Sequence, residues 1–182
     1  MQNPLTNVYL TDVRDRLGKL QSLAEAALAQ VDDADLFATL DVESNSIALL
    51  VKHMAGNMQT RWEGFPQDGE SESSRRNRDA EFEIGAGDTK QALSEKWDAG
   101  WRRTFEALAR LTEDDMNKSV VLRGESMSVT SAINRQMTHY AYHIGQIVFM
   151  AKHLGSTRWQ SLSIPRGESE AFTAALRKKH GA

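Results

Sequence analysis

Residues 128–155 form the longest amphipathic stretch of the chain, and they restrict its fold more than any other feature. Ser128 is a residue type that favours helix N-termini, Gly155 is one that favours C-termini, and Lys152 and His153 suit a last turn. The roughly 26 residues between would span about 39 Å as an α-helix. One face carries a continuous apolar seam, formed by Ile133, Met137, Tyr140, Ile144, Ile147, Ala151 and Leu154. A helix with such a seam has to bury it against other helices.

Three earlier segments show the same helical periodicity, over residues 7–31, 44–64 and 89–111. The second of them opens at a serine and asparagine cluster that can cap a helix, and it stops at Gly64 and Pro66. Four amphipathic helices with few strands predict an all-α protein, a four-helix bundle that forms a single domain over residues 1–182.

Two stretches between these helices lack helical periodicity. Residues 64–88 are rich in serine, glycine and charge, and we interpret them as a long loop between helices two and three. Loops longer than about 15 residues in a compact domain are usually functional or disordered, and this one is long enough to cross the bundle. Residues 119–127, with Gly124 near their centre, predict a small β-hairpin before helix four.

Composition excludes several classes of protein. The net charge of −3 argues against a nucleic-acid binder that relies on a basic surface. The chain has no cysteine, so a metal site would need nitrogen or oxygen ligands and the protein supplies no thiol nucleophile. Neither a signal core nor a membrane-length apolar stretch is present in the sequence. We therefore expect a cytoplasmic protein with no nucleic-acid or membrane partner.

A polar row lies beside the apolar seam of helix four, about 100° round the helix, and is expected to face inward as well. Its members are Ala132, Gln136, His139, His143, Gln146, Met150 and His153. His139 and His143 are four residues apart, so their imidazoles can converge on one ion. This spacing is a weak signal alone, because two hydrogen-bonded or half-exposed histidines are the more common explanation.

His53 strengthens the metal interpretation. It lies in helix two at the edge of the apolar face, where a lone histidine would more often be an ordinary hydrogen-bonded residue. However, three of the five histidines now fall on core-facing stripes of two helices. Three nitrogen ligands with an open position are how catalytic zinc is usually held. We predict a divalent ion on His53, His139 and His143, and we assign His153, about 15 Å further along, to the helix C-terminus.

The segments 46–54 and 139–146, which carry these histidines, resemble the DinB/YfiT-like superfamily of metalloenzymes. The resemblance extends over essentially the whole chain, and segments 76–82 and 163–168 are similar to a bacterial branch without an assigned activity. It implies a zinc or nickel ion on the three histidines and a homodimer. Characterised members include bacillithiol transferases and mycothiol-dependent isomerases, in which the metal is thought to activate a low-molecular-weight thiol. The resemblance therefore implies a transferase that uses a small thiol.

A metal-dependent hydrolase and a non-catalytic, metal-stapled dimer are the alternatives. An ion on three neutral imidazoles can lower the pKa of bound water to about 7 or ionise a bound thiol. Hydrolysis would also require a general base, and no carboxylate lies one turn from any of the three histidines. Asp12, Glu95 or Asp98 on other helices could supply one. The missing local base favours the thiol transferase, whereas a carboxylate as fourth ligand would favour a structural ion.

Other polar residues near the histidines are candidates for contact with the substrate or the ligands. Asn57 and Gln146 lie about one turn from His53 and His143, and a polar edge of the bundle is an equally good explanation for them. Arg75, Arg76 and Arg78 could close over an anionic substrate. A solvated, internally paired run of charges is the favoured interpretation of these arginines.

Overall fold

Helices make up most of residues 4–66, 76–122 and 124–181, which are the residues that this computed structural model describes. They are α1 (Pro4–Leu28), α2 (Asp33–Phe37), α3 (Ile47–Arg61), α4 (Lys90–Arg110), α5 (Glu113–Met116), α6 (Val129–Gly155) and α7 (Ser169–His180). Short 3₁₀ helices occupy Asp79–Phe82 and Ser156–Arg158, and β1 (Ser119–Leu122) pairs antiparallel with β2 (Glu125–Ser128). The prediction of an all-α protein with a small β-hairpin is confirmed. In the described stretches, no helix has both the length and the apolar character to cross a bilayer.

Side-chain caps fix the starts of three long helices. The hydroxyl oxygens of Ser46, Thr89 and Ser128 each accept from a backbone N–H three residues later, at 3.2, 3.2 and 3.1 Å. The end of α6 differs from the prediction, because Gly155 is still helical and Ser156 adopts the positive φ of 46° that follows the helix. The predicted placing of Gly155 beyond the helix end was therefore wrong by one residue.

The core forms where α3 packs on α4 and α1 packs on α6, and contacts of α3 with α6 and of α1 with α4 join the two pairs. Gly100 of α4 faces Met58 of α3, and a Cβ at Gly100 would lie 3.1 Å from the Met58 Cβ. The glycine therefore allows the close approach of these helices. Trp62, Trp101 and Tyr140 are the largest fully buried side chains. This packing brings one face of α3 against the histidine-bearing face of α6.

The connector between α3 and α4 (residues 62–89) is irregular in its described part, apart from the 3₁₀ helix that packs on α3. Residues 67–75, including Arg75, lie outside the described residues. Asp88 ties the connector to both helices, because it pairs with Lys52 of α3 at 2.7 Å and with Lys96 of α4 at 3.2 Å. Burial alone would raise the pKa of Asp88, but hydrogen bonds from Lys52, the Gly85 N–H and Lys96 lower it to about 2. The carboxylate therefore stays charged and anchors the connector.

Candidate metal centre

The structure brings together the three histidines that the sequence singled out. His53 comes from α3, and His139 and His143 come from successive turns of α6. One nitrogen from each ring lies within 4.8 Å of the others, and the Nε2 atoms of His53 and His139 are 3.3 Å apart. His53 and His143 are only 2% and 7% exposed. Among the described residues, these three histidines form the group whose ligand atoms are close enough together to hold one metal ion.

One pair of donor atoms in this cluster has the spacing expected around a divalent ion. Zinc binds imidazole nitrogen at about 2.0–2.1 Å, which places two nitrogens of a tetrahedral site about 3.3–3.4 Å apart. The separation of 3.3 Å between the Nε2 atoms of His53 and His139 agrees with this value. The Nε2 of His143 is buried and has no hydrogen-bond partner among the described residues. An unpaired buried polar atom costs about 1–3 kcal/mol, and a bound cation would remove that cost.

A carboxylate from the connector fixes the protonation of His53. The Oε2 of Glu81 lies 2.9 Å from the Nδ1 of His53. Arg76 donates from Nε and Nη2 to the two oxygens of the same carboxylate, both at 2.6 Å. An ionised carboxylate only accepts hydrogen bonds, so Nδ1 of His53 donates, and in the neutral imidazole Nε2 then keeps its lone pair. Metal-binding histidines commonly have this kind of partner on their other nitrogen.

Glu81 remains ionised in this environment. Burial alone would raise the pKa of its carboxyl, but the hydrogen bonds from Arg76 and His53 and the charge of Arg76 outweigh burial and hold the pKa below its usual range. The side chain of Arg76 is 7% exposed, so its interpretation as part of a solvated charge run was wrong. Arg78 is exposed, as that interpretation predicted.

Glu81 is the carboxylate that sequence reasoning missed. No helical spacing points to Glu81, because it is 28 residues from His53 and reaches it from the connector. The three proposed alternatives do not approach the cluster in this way. The side chains of Asp12, Glu95 and Asp98 are exposed on α1 and α4.

Gly56 makes room for the Glu81 carboxylate. It lies on α3 three residues after His53. A Cβ at this position would overlap the Oε1 atom of Glu81 and come within 2.9 Å of its Cδ. The ring of Phe82, next along the connector, packs on the imidazole of His53 with centroids 4.9 Å apart. The absence of a side chain on α3 therefore allows the connector to close against His53.

Gln146 orients the second buried histidine. Its Oε1 lies 2.9 Å from the Nδ1 of His143. An amide oxygen only accepts, so Nδ1 of His143 donates and Nε2 is left bare. The Gln146 side chain is exposed, and that of His153 is too, so the prediction that the whole polar row faces inward was wrong at these two positions.

Asn57 belongs to a buried chain of hydrogen bonds beside the cluster. Trp62 donates from Nε1 to the Tyr140 hydroxyl at 3.0 Å, and that hydroxyl donates to the Oδ1 of Asn57 at 3.1 Å. Asn57 is 5% exposed and lines a cavity together with His139. Its amide is therefore held in place at the edge of the candidate site.

Burial keeps two of the imidazoles neutral. It lowers the pKa of His139 to about 3, and the neighbouring imidazoles of His143 and His53 and the charges of Arg76 and Arg78 lower it further. Burial also lowers the pKa of His143 to about 4 against the opposing effect of Gln146. Neutral imidazole is the form that binds metal ions.

Two cavities of about 430 Å³ each lie near this part of α6. The first lies beside His139 and is lined by polar and charged side chains, among them Arg61, Arg78 and Arg135. The second is lined by Gln146 and by apolar side chains that include Leu50, Phe149 and Met150. Tyr142 lines both cavities. The polar cavity therefore reaches the cluster at His139, whereas none of the three histidines lines the second cavity.

These observations define a helical protein with a buried three-histidine group that has the geometry of a metal site. Residues 4–168 match the family described as "Protein of unknown function (DUF1572)", and the chain belongs to that family. The match includes the three histidines and Glu81 and ends before α7. No curated protein and no solved structure matches the chain significantly.

Proposed function

We propose that this chain is a cytoplasmic, DinB/YfiT-like four-helix bundle with one domain over residues 1–182. It binds one divalent ion, zinc or nickel, through His53, His139 and His143, and it transfers a low-molecular-weight thiol to an electrophile. The observation that carries the proposal is the pair of fixed imidazoles. Glu81 and Gln146 hold the Nδ1 protons of His53 and His143, so both Nε2 atoms are bare beside His139. The packing of α1, α3, α4 and α6 supports the bundle.

The residues around the cluster favour a thiol over water as the nucleophile. A divalent ion held by three neutral imidazoles supplies a Lewis acid that can ionise a thiol without a separate base. Glu81 is a poor general base, because its pKa is held low and its carboxylate is paired with Arg76 and directed at Nδ1 of His53. In the transfer, the thiol sulfur bonds to an electrophilic carbon, the thiol proton passes to solvent, and the leaving group departs with its electron pair. The thiol is a co-substrate because the chain has no cysteine.

Two alternatives from the sequence remain as competing proposals. A hydrolase would use water in place of the thiol and would require a base that the described residues near the cluster do not offer. A non-catalytic ion would require a fourth protein ligand. The described carboxylate that contacts the cluster is that of Glu81. It contacts the Nδ1 edge of His53 and not the Nε2 edge that faces the other histidines. This placement favours an open position and hence a catalytic ion.

A homodimer is part of the proposal. Leu5 and Val8 on α1 are 75% and 67% exposed, and burying such side chains between two copies would remove apolar surface from water. Light scattering at micromolar concentration should give twice the chain mass. A monomer mass that persists at these concentrations would argue against the dimer.

The test of the thiol function replaces the bound metal with cobalt and follows the visible spectrum as single thiols are added. We expect a sulfur-to-metal charge-transfer band with at least one thiol, and turnover with that thiol that chelation abolishes. His153→Ala, which changes an exposed histidine on the same helix, should leave the band intact. The hydrolase proposal would replace ours if no thiol gives a band and if ester or amide hydrolysis proceeds without one.

A further inference from the structure

The cavity beside His139 has an unusual charge for this protein. The chain carries a net charge of −3, yet Arg61, Arg78 and Arg135 all line this cavity of about 430 Å³. Among the described residues that line it, none is acidic. Positive charge is therefore concentrated at the side of the cluster where His139 is reached from solvent. Like charges gathered around a concave surface attract an oppositely charged ligand.

Two of the three guanidinium groups are available to a ligand. In residues 4–66, 76–122 and 124–181, the side chain of Arg78 has no ion-pair partner. Among the described carboxylates, Arg135 pairs with Glu125 alone, at 3.9 Å, and the Glu125 side chain is 72% exposed. An exposed pair at that distance contributes little and gives way easily to a better partner. Both arginines can therefore turn to an anion in the cavity.

The inner wall of the same cavity holds fixed polar groups. Arg61 also lines the cavity and is only 8% exposed, so a largely buried permanent charge lies beside the cavity. Gln136 is 3% exposed, and its Oε1 has no hydrogen-bond partner within the described residues. A buried acceptor without a donor costs about 1–3 kcal/mol. The wall therefore offers positive charge for an anion and one acceptor for an N–H or O–H group.

We propose that this cavity binds the anionic oxygen group, a carboxylate or a phosphate, of a substrate whose reacting end reaches the three-histidine cluster. Arginine is suited to this ligand because its planar fork donates two parallel hydrogen bonds to a carboxylate or phosphate. Gln136 accepts from an N–H or O–H of the same molecule. The assignment to a substrate rests on the proposed function, whereas the binding of the anion can be measured without it.

Calorimetric titration with succinate and with inorganic phosphate tests this proposal. The protein is compared with the Arg78→Gln/Arg135→Gln variant at constant ionic strength, after the metal content of each sample has been measured. We expect both substitutions together to weaken the binding of the preferred anion at least tenfold. Arg110→Gln removes the same charge from an exposed residue of α4 that does not line the cavity, and it should change the affinity less than twofold.

The two anions separate the sources of the ligand, since tighter binding of succinate indicates a carboxylate substrate and tighter binding of phosphate indicates a phosphorylated one. Equal affinities of the protein and the double variant would overturn the proposal, because direct coordination of the anion by the metal would then explain the binding. Equal weakening by Arg110→Gln would also overturn it. If the anion binds specifically but no thiol gives a band with the cobalt protein, the thiol function is rejected and the anion site stands. If a thiol gives a band but the anion does not bind specifically, the anion site is rejected and the thiol function stands.

Discussion

The candidate centre is assembled from two kinds of backbone. His53, His139 and His143 lie on long helices whose positions are fixed by buried apolar faces. Arg76 and Glu81 lie on the irregular connector between α3 and α4. The helices determine where the three imidazoles meet, whereas the connector determines which nitrogen of His53 is left without a proton. Location and protonation of the ligands are thus controlled by different parts of the molecule.

The two regions also differ in what holds them. The ligand-bearing helices share a large core, so no single surface contact determines their position. The described part of the connector depends on a few polar contacts, chiefly Arg76 with Glu81 and Asp88 with Lys52 and Lys96. Changes to the connector should therefore weaken the site while the fold persists. The following predictions test this difference from the largest expected effect to the smallest.

Removing a helix-borne ligand should have the largest effect. His53→Ala leaves two imidazoles on α6, so we expect metal affinity to fall by at least about 100-fold and most of the metal to be lost on dialysis. Elemental analysis and competition with a chelator measure the loss. His153→Ala should retain the metal content of the unsubstituted protein, and full retention by His53→Ala would remove this histidine from the site.

Removing the connector's carboxylate should have the next largest effect. Glu81→Gln keeps the shape but leaves Arg76 without its charged partner and His53 without a fixed proton position. We expect metal affinity to fall by about 10–100-fold, as is typical when the partner of a metal-binding histidine is lost. Chelator competition gives the affinity, and circular dichroism shows whether the helices persist. Glu83→Gln, at an exposed residue of the same connector, serves as the control. Unchanged metal affinity in Glu81→Gln would mean that the connector does not support the site.

A substitution on α3 that pushes the connector away from His53 should reduce metal affinity less strongly. Gly56→Ala places a methyl group against the Glu81 carboxylate, and we expect metal affinity to fall by up to about tenfold, below the loss in Glu81→Gln. Gly18→Ala is the matched control, because a Cβ there meets no atom within 4 Å. That control should stabilise the protein by about 0.5–1 kcal/mol through helix propensity. Equal gains in stability with full metal affinity in both variants would show that Glu81 tolerates the methyl group.

The smallest expected effect is on the pH dependence of protein stability, through Asp88, the residue that anchors the connector. The pKa of Asp88 is about 2 in the folded protein and lies below its ordinary value, so the charged carboxylate stabilises the folded state above pH 4. That contribution is lost as the pH falls from about 4 to 2. Asp88→Asn should therefore lower the free energy of unfolding at neutral pH and make it less dependent on pH in the acid range. Denaturant titrations at several pH values measure both effects, and parallel curves for the two proteins would contradict the prediction.

The difference between the long helices and the irregular connector also explains which features the sequence could predict. Periodicity located the long helices and the three histidines on their faces, and residue type indicated the serine caps of α3 and α6, because these features depend on neighbours within one helical turn. The short helices α2, α5 and α7 were not predicted, since they are too short or too polar to show a clear apolar face. Glu81 could not be predicted because its contact with His53 depends on the path of an irregular segment. The exposure of Gln146 depends on how far the neighbouring helices cover α6, which periodicity does not encode.

The hydrogen-bond chain from Trp62 through Tyr140 to Asn57 gives the protein an internal optical reporter. The indole N–H at one end is tied to an amide that lines the arginine-rich cavity at the other. We expect a charged molecule in that cavity to alter the electric field at the indole and hence its emission wavelength. Comparing the protein with Trp62→Phe isolates this signal from the other three tryptophans. Occupancy of the cavity can thus be followed by intrinsic fluorescence, without a label and before a substrate is identified.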